Sequence, residues 1–459
     1  MTILLKKTPP SSAVPITVID KTGWPALADT LAPATAAWLR AIGFEGAPNS
    51  HALVPDAHGR LAQVVAGVVQ AEDPFAMASL PSALPPGQYR LTEPGLRVPD
   101  EIAAFSWSQG AYAFERYKAR SRAPATLVLP PSAGARRGVL QAQAAGLVRD
   151  LVNTPAEHMG PQELAQAARD LARRHGARCT VVLGEALLKR NFPAIHAVGR
   201  ASTRAPRLIE LLWGKPGHPL VSIVGKGVCF DSGGLDIKSP DGMRLMKKDM
   251  GGAAHALGLA EMVMALQLPI RLQVLVPAVD NAIAGNAYRP GDVFRTRAGV
   301  QIEIGNTDAE GGVILCDALA CAAESRPDLI IDLATLTGAA RVALGPQLPA
   351  LFCRDLASAR KLVDLGLQLQ DPLWHMPLWE PYQAGIESAV GDIVNTGRNT
   401  MAGAINAALF LSHFVPREQD WLHVDLFAWN DTAGPGRPVG AQAQTLRTLL
   451  AHLEQRFGG

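Results

Sequence analysis

From residue 155 onward the chain alternates helical segments with short, almost uninterrupted apolar runs, and this alternation is what most constrains its fold. Continuous apolar strands, several of them β-branched, indicate a mainly parallel sheet covered by helices on both faces. The predicted strands are 179–183, 208–212, 221–224, 272–276, 329–333, 350–353 and 422–426. The predicted helices are 162–175, 252–267, 312–325, 355–368, 402–414 and 441–455. In such sheets, functional sites form at the carboxyl ends of the strands.

The first part of the chain is richer in proline and alanine and shows weaker periodicity, with strand-like runs at 61–69 and 126–129. A chain of 459 residues exceeds the usual size of one domain. We predict a smaller N-terminal α/β domain over 1–132, a linker helix over 133–154 and a catalytic domain over 155–459. The fold class is α/β, and the C-terminal catalytic domain has a mainly parallel central sheet flanked by helices.

Bulk properties argue against several classes of partner. The net charge of +2 gives no support for nucleic acid or an anionic membrane as the main partner. Five scattered cysteines without a CxxC motif favour a reducing, cytoplasmic location. We predict no membrane span, because no run of about 18 uncharged apolar residues occurs.

A charged, glycine-rich segment follows the predicted strand 221–224 and reads GKGVCFDSGGLDIKSPDGMRLMKKDMGG. A phosphate-binding loop is excluded, because the GxxxxGK[ST] spacing is absent. Two interpretations remain for this segment by itself. It is either a solvated polar loop or a metal site, since carboxylates spaced along a strand-end loop can converge on a divalent cation.

A second acidic segment, IEIGNTDAEGGVILCDAL, covers residues 302–319. Asp308 and Glu310 are two residues apart, so on extended backbone they point to the same side. Two such carboxylates repel unless a cation or a proton lies between them. The alternative is helix capping, with Asp308 as an N-cap-like acid, and this segment alone leaves both interpretations open.

Taken together, these segments resemble a known family. The strings VGKGVCFDSGG, MKKDMGGAA, GNTDAEG and DLATLTGA are similar, in order and separation, to the signature blocks of the leucine aminopeptidase family of dinuclear metallopeptidases. LVNTPAEHMGP (151–161) and AGAINAALFL (402–411) look like further blocks, so the resemblance covers about residue 137 to the C-terminus. It implies a metal-dependent aminopeptidase that hydrolyses the N-terminal residue of peptides, leucine-like by preference, through a water bridging two metals.

The resemblance also implies a ligand set for two divalent ions, Zn²⁺ or Mn²⁺. Asp231 and Glu310 match the ligands shared by both metals, and Asp308 matches a ligand of one metal. Lys226 and Asp249 match ligands of the other. A lysine ligand must be deprotonated, and a neighbouring dication would lower its pKa.

Further roles follow from the same resemblance. Lys238 matches an electrophilic lysine that polarises the scissile carbonyl and stabilises the oxyanion, although a salt bridge to Asp236 or Asp241 is the alternative. Met246 and Leu336 fit a plain apolar core equally well. The implied substrate-binding residues, which favour an apolar first residue, are Met246, Asn306, Thr335, Leu336 and Gly338.

One position departs from the family pattern. The family string ends NTDAEGR, and this chain has Gly312 where the arginine belongs. In the family that arginine holds a bicarbonate ion that acts as general base. We expect metal binding to survive and turnover to be reduced, and three substitutes stay open. The anion binds at the helix N-terminus, a cation such as Lys247, Lys248 or Arg244 replaces the arginine, or another carboxylate or a second water is the base.

The departure at Gly312 supports one competing function, a non-catalytic or weakly active relative that retains its metals. The resemblance further implies a homohexamer, peptide substrates with a free N-terminus, and bicarbonate as an additional small ligand. Net charge gives no support for DNA binding.

Overall fold

The computed structural model describes residues 2–458, which divide into two compact units. The first unit runs to Gly146 and also takes in Asp431–Val439. The second unit comprises Leu147–Asn430 and the chain from Gly440 onward. Each is built from a sheet with helices, which confirms the predicted α/β fold class. Within residues 2–458, no helix is both long and apolar enough to cross a membrane.

Six strands form the sheet of the first unit: β1 (Ile3–Leu5), β2 (Val14–Asp20), β3 (His51–Pro55), β4 (Leu61–Val68), β5 (Gln88–Leu91) and β6 (Thr126–Leu129). They lie in the order β1-β6-β5-β2-β4-β3, and only β3 pairs antiparallel. The helices are α1 (Trp24–Thr30), α2 (Pro33–Ala41), α3 (Leu80–Ala83), α4 (Asp100–Ala111) and the first part of α5 (Ala133–Asn153). Tyr89, Trp107 and Leu127 lie in its main apolar core.

The segment Asp431–Val439 belongs to the first unit although it comes late in the chain. The guanidinium carbon of Arg437 lies 4.6 Å from the centroid of the Phe75 ring. Gly436 has φ +67°, and a Cβ there would lie 2.9 Å from both Ala78 and Phe75. This segment is therefore packed closely into its unit.

The second unit holds fourteen strands among the residues described: β7 (Arg178–Leu183), β8 (Arg207–Trp213), β9 (Leu220–Gly225), β10 (Gly227–Asp231), β11 (Arg271–Asn281), β12 (Val293–Arg295), β13 (Gln301–Glu303), β14 (Leu329–Ala334), β15 (Ala350–Cys353), β16 (Trp374–His375), β17 (Ile393–Val394), β18 (Trp421–Asp425), β19 (Trp429–Asn430) and β20 (Gly440–Ala441). Its main sheet has the order β16-β15-β18-β14-β9-β11-β8-β7, with β10 also paired to β11. The four central strands, from β18 to β11, are mutually parallel. Strands β12, β13 and β17 form a small sheet, and β19 pairs with β20.

Ten helices follow α5: α6 (Pro161–His175), α7 (Ala186–Lys189), α8 (Pro193–Gly199), α9 (Pro240–Met243), α10 (Gly251–Ala265), α11 (Glu310–Glu324), α12 (Gly338–Leu344), α13 (Leu356–Gln368), α14 (Gly403–Ser412) and α15 (Leu446–Phe457). Short 3-10 turns cover Ala156–His158, Met246–Met250, Thr307–Ala309 and Glu380–Gly385. All seven strands and all six helices predicted for this part of the chain are confirmed. The start of the last helix was wrong, because Gly440–Ala441 pair as β20 and Thr445 has φ +61° just before α15.

The register of the central strands determines where a site forms. Leu333 of β14 is aligned with Gly225 of β9, and Ala334 is aligned with Asp425 of β18. The carboxyl ends of three neighbouring strands therefore lie at one edge of the sheet. Lys226 and Thr335 are the residues that follow two of these strands.

Candidate metal centre

Four acidic side chains lie together near this edge of the sheet. Asp231 ends β10, Asp249 lies in the turn Met246–Met250, Asp308 in the turn Thr307–Ala309, and Glu310 begins α11. Asp231, Asp308 and Glu310 each offer one carboxylate oxygen, and these oxygens lie within 4.8 Å of one another. All but Asp308 are buried. Several carboxylate oxygens at such separations are suited to binding a divalent cation.

Lys226 lies between two of these acids. Its Nζ lies 2.8 Å from Asp249 Oδ2 and 2.9 Å from Glu310 Oε1. It also donates a hydrogen bond of 3.0 Å to the Thr335 carbonyl. Burial disfavours the ammonium, yet the carboxylates of Asp249 and Glu310 outweigh burial and raise the pKa of Lys226. In this arrangement Lys226 is a charged, ion-paired lysine.

Lys238 bridges the other two acids. Its Nζ lies 2.7 Å from Asp231 Oδ2 and 2.5 Å from Asp308 Oδ1. The alternative partners considered from sequence, Asp236 and Asp241, are wrong. Asp236 instead accepts a hydrogen bond from the backbone N–H of Thr307, 2.8 Å away, which ties the loop after β10 to the turn before α11.

Glu310 is an almost fully buried carboxylate of the cluster. Burial, followed by the charge of Asp231, raises its pKa well above the usual range. Among the residues described, neither of its carboxylate oxygens accepts a hydrogen bond, and the Lys226 ammonium is its nearby cation. A buried carboxylate with open lone pairs, facing other carboxylates, fits a position that binds a metal ion.

Neutral groups hold the other acids in place. The amide of Asn281, the last residue of β11, donates to Asp231 Oδ1 at 2.8 Å and to the Thr307 carbonyl at 3.0 Å. The hydroxyl of Thr335 donates to Asp249 Oδ1 at 2.8 Å. Metal-binding carboxylates are commonly oriented by such outer hydrogen bonds. Sequence reasoning did not identify Asn281, because it follows an apolar strand without a motif of its own.

Two glycines allow the backbone to come close to the cluster. Gly233, with φ +87°, makes the sharp turn after β10, where a Cβ would lie 2.5 Å from the Asp236 carbonyl oxygen. Gly311 lies against Lys226, and a Cβ there would lie 2.6 Å from Cε and 2.8 Å from Nζ. The side chain of Lys226 thus occupies the space that any larger residue at 311 would need.

A small cleft of about 60 Å³ opens over the acids. Of the residues predicted to bind substrate, Met246, Thr335, Leu336 and Gly338 line it. Asn306 is not among its lining residues, and its side-chain oxygen accepts a 2.7 Å hydrogen bond from the Asp308 N–H instead. The complete lining is Lys226, Asp231, Lys238, Met246, Lys248, Asp249, Asp308, Glu310, Thr335, Leu336, Thr337, Gly338 and Arg341.

An aromatic ring lies against one side of Gly312, which is partly exposed. A Cβ at Gly312 would lie 3.2 and 3.3 Å from two ring carbons of Phe410, which belongs to α14. Of the replacement cations considered from sequence, Lys247 donates to the Asn153 carbonyl at 2.7 Å, and Arg244 is exposed and outside the cleft lining.

Lys248 does line the cleft, and it is only 2% exposed. Burial, with help from the cations of Arg341 and Lys226, lowers its pKa to about 7, against the opposing effect of Asp249. The sequence does not identify Arg341 as a site residue. It indicates Lys248 only as a cation that could replace the family arginine.

A mainly parallel α/β sheet with buried carboxylates and lysines at its carboxyl edge suits a metal-dependent hydrolase. Comparison with known families gives the particular one. The cytosol aminopeptidase family, catalytic domain, matches residues 146–450, and the M17 aminopeptidase, N-terminal domain, matches residues 14–130. The chain belongs to the cytosol aminopeptidase family, and it is a metallo-exopeptidase that acts on peptide N-termini.

Relatives span nearly the whole chain. The crystal structure of the cytosol aminopeptidase from Coxiella burnetii is 48% identical, covers 99% of both chains and superposes with a TM-score of 0.95. The bottromycin maturation enzyme BotP in complex with Mn is 33% identical, covers 97% of this chain and 100% of its own, and has a TM-score of 0.87. A probable cytosol aminopeptidase of a Geobacter species is 39% identical over 87% of this chain and 83% of that protein.

Proposed function

We propose that the protein hydrolyses the N-terminal residue of peptides with two divalent ions held by Lys226, Asp231, Asp249, Asp308 and Glu310. The observation that carries this proposal is the oxygen cluster of Asp231, Asp308 and Glu310, within 4.8 Å of one another. The Mn complex of BotP supports Mn²⁺ as one suitable ion. Zn²⁺ is the other candidate, since carboxylates and amines bind both.

Each residue has a definite task in this proposal. Asp231 and Glu310 would hold both ions, Asp308 would hold one of them, and Lys226 with Asp249 would hold the other. When bound, such ions supply Lewis acidity toward the attacking water and the scissile carbonyl. Lys226 must release its proton to act as a ligand, so metal uptake by this chain releases protons.

Lys238 is the second reactive group of the chain. It lines the cleft with its Nζ between Asp231 and Asp308. Burial alone would lower its pKa, but these acids outweigh that effect and raise it. It therefore stays charged, and we assign it the polarisation of the scissile carbonyl and the stabilisation of the oxyanion. Met246, Thr335, Leu336 and Gly338 contact the first side chain of the substrate, and Asn306 supports the turn that carries Asp308.

Three broader assignments belong to the same proposal. We place the protein in the cytoplasm, because the relatives named above are called cytosol aminopeptidases. We propose a homohexamer, and bicarbonate as a small additional ligand near α11. The three domain segments, 1–132, 133–154 and 155–459, remain our division of the chain, with α5 as the connecting helix.

The test of this function uses metal-free protein supplied with Mn²⁺ or Zn²⁺. We expect leucine p-nitroanilide to be cleaved and N-acetyl-leucine p-nitroanilide to be left intact, because the reaction needs a free α-amino group. Release of nitroaniline is followed by absorbance, and bound metal is counted by atomic emission. Cleavage of both substrates would contradict an exopeptidase, and two bound metals without any cleavage would favour the non-catalytic alternative.

Gly312 provides a separate prediction. We expect Gly312→Arg to raise kcat on leucine p-nitroanilide by tenfold or more, since general-base assistance contributes about 10²–10⁴-fold. The new side chain must push aside the Phe410 ring, which a Cβ would approach to 3.2 Å. Gly312→Ala is the matched control, because it adds the same Cβ without a guanidinium. Equal rates for both variants would show that the missing arginine does not limit turnover.

A further inference from the structure

Two basic side chains of the cleft make no ion pair among the residues described. The guanidinium carbon of Arg341 lies 4.6 Å from the centroid of the Phe427 ring, and Lys248 Nζ lies 4.7 Å from the same centroid. Lys248 comes from the turn Met246–Met250, Arg341 from α12 and Phe427 from the segment after β18. Both cations line the cleft over the acids. We call Lys248, Arg341 and Phe427 the cationic corner.

The acids of the cleft do not need these two cations. Lys226 and Lys238 already make ion contacts with all four acids of the cluster. Asp425, whose charge acts on Lys248, accepts hydrogen bonds from the backbone of Leu336 and from the backbone and hydroxyl of Thr337. Between residues 2 and 458, no carboxylate lies within ion-pair distance of Arg341 or Lys248.

Arg341 is a partly buried arginine at the wall of the cleft, and its charge is only partly compensated by the groups around it. Stacking on a phenyl ring offsets only part of the cost of removing an ion from water. Arg341 makes one further contact, a hydrogen bond of 3.3 Å to the Thr337 carbonyl, and Lys248 is 2% exposed. An arginine carries its charge at all ordinary pH values, so the corner offers a binding position to an anion that enters the cleft.

The position of the cationic corner in the cleft indicates which anion would bind there. It shares the cleft with Met246, Thr335, Leu336 and Gly338, the residues to which the proposed function assigns the first side chain of the substrate. A guanidinium fork binds a carboxylate in two parallel hydrogen bonds, and an ammonium adds a further donor. Resting on the proposed function, we propose that the cleft recognises an acidic first residue, glutamate or aspartate, through Arg341 and Lys248.

The carboxylate that reaches the corner has two possible sources in a peptide substrate, the first side chain or the C-terminus of a dipeptide. Anilide substrates separate them, because they carry no C-terminal carboxylate. The metal-loaded protein is offered glutamyl, glutaminyl and leucyl p-nitroanilides, which compare a charged side chain with its neutral isostere. We expect kcat/KM for glutamyl to exceed that for glutaminyl by tenfold or more.

Variants assign the preference to the corner. Arg341→Gln is expected to lower the glutamyl-to-glutaminyl ratio at least tenfold, and Arg341→Lys to restore part of it. Lys248→Met is expected to lower the same ratio. Arg360→Gln is the matched control, since Arg360 is exposed on α13 and outside the cleft lining, and the ratio should stay as in the parent. Circular dichroism checks the fold of each protein.

The leucyl substrate keeps the two proposals apart. Cleavage of leucyl anilide with a glutamyl-to-glutaminyl ratio of one or less, or an unchanged ratio in Arg341→Gln, would overturn the acidic preference and leave the aminopeptidase intact. If Arg341→Gln slowed the cleavage of leucyl dipeptides but not of leucyl anilide, the corner would be assigned to the peptide C-terminus, which would also overturn the acidic preference. Calorimetric titration with free glutamate and glutamine decides the matter even without turnover, because tighter binding of glutamate by tenfold is expected and equal binding contradicts the proposal.

Discussion

Glu310→Gln is expected to reduce kcat on leucine p-nitroanilide roughly a thousandfold or more, since metal catalysis supplies several kcal/mol of transition-state stabilisation. The side chain of Glu310 is 1% exposed, and the Lys226 ammonium, 2.9 Å from Oε1, is its ion-pair partner among the residues described. A glutamine keeps the shape and removes one anionic ligand that is proposed to be shared by both ions. The melting temperature of the parent should rise when Mn²⁺ is added, because a ligand that binds the folded state stabilises it, and this rise should shrink in the variant.

The control lies on the same helix. Glu324, at the other end of α11, has a side chain that is 57% exposed and pairs with Arg297 at 2.7 Å. Glu324→Gln makes the same chemical change away from the cluster, and an exposed pair of this kind contributes about 0–1 kcal/mol. Activity and the Mn²⁺-induced rise in melting temperature should persist. If Glu310→Gln kept both properties as well, the metals would have to bind elsewhere.

Gly311→Ala is expected to lower kcat/KM by about a hundredfold, because displacing a catalytic-site group by 1 Å costs about that much. The added Cβ would lie 2.6 Å from Lys226 Cε and 2.8 Å from Nζ, closer than real Cβ contacts allow. Lys226 cannot retreat freely, since it is 3% exposed and bound to the Thr335 carbonyl. The Lys226 amine should therefore move away from its position between Asp249 and Glu310, while the acids stay in place. Metal affinity, measured by titration with Mn²⁺, should weaken in parallel.

A helical glycine in open space provides the comparison. Gly146 lies in α5, and a Cβ there would meet no atom within 4 Å. Gly146→Ala should leave turnover unchanged and stabilise its helix by up to about 1 kcal/mol, the usual difference between alanine and glycine. A full-rate Gly311→Ala enzyme would mean that Lys226 is not required where the structure positions it.

The apolar pattern predicted the main sheet of the second unit well, because its central strands are buried on both faces. Strand β10 was not predicted, since it is glycine-rich and ends in the charged Asp231. In the first unit only β4 and β6 were predicted. The other four strands are short or carry prolines and polar residues, as in Val14–Asp20 and Gln88–Leu91, and gain their pairing from neighbours distant in sequence.

The site shows the same division between local pattern and long-range packing. The acids and lysines of the cluster were predicted because they lie in motifs that resemble a family. Arg341 and Phe427 have no such motif. They meet because Asp425, at the end of β18, accepts hydrogen bonds from the residues just before α12, which brings α12 beside the segment that follows the strand. A contact of this kind depends on the folded sheet and cannot be read from spacing.

The return of Asp431–Val439 to the first unit has a consequence for biosynthesis. The ribosome releases the six strands of that unit early, yet Arg437 and Gly436, which pack on Phe75 and Ala78, emerge only after most of the second unit has been made. Co-translational folding of the N-terminal unit is thus completed near the end of synthesis. A nascent chain that ends before residue 431 carries that unit without its last packing element.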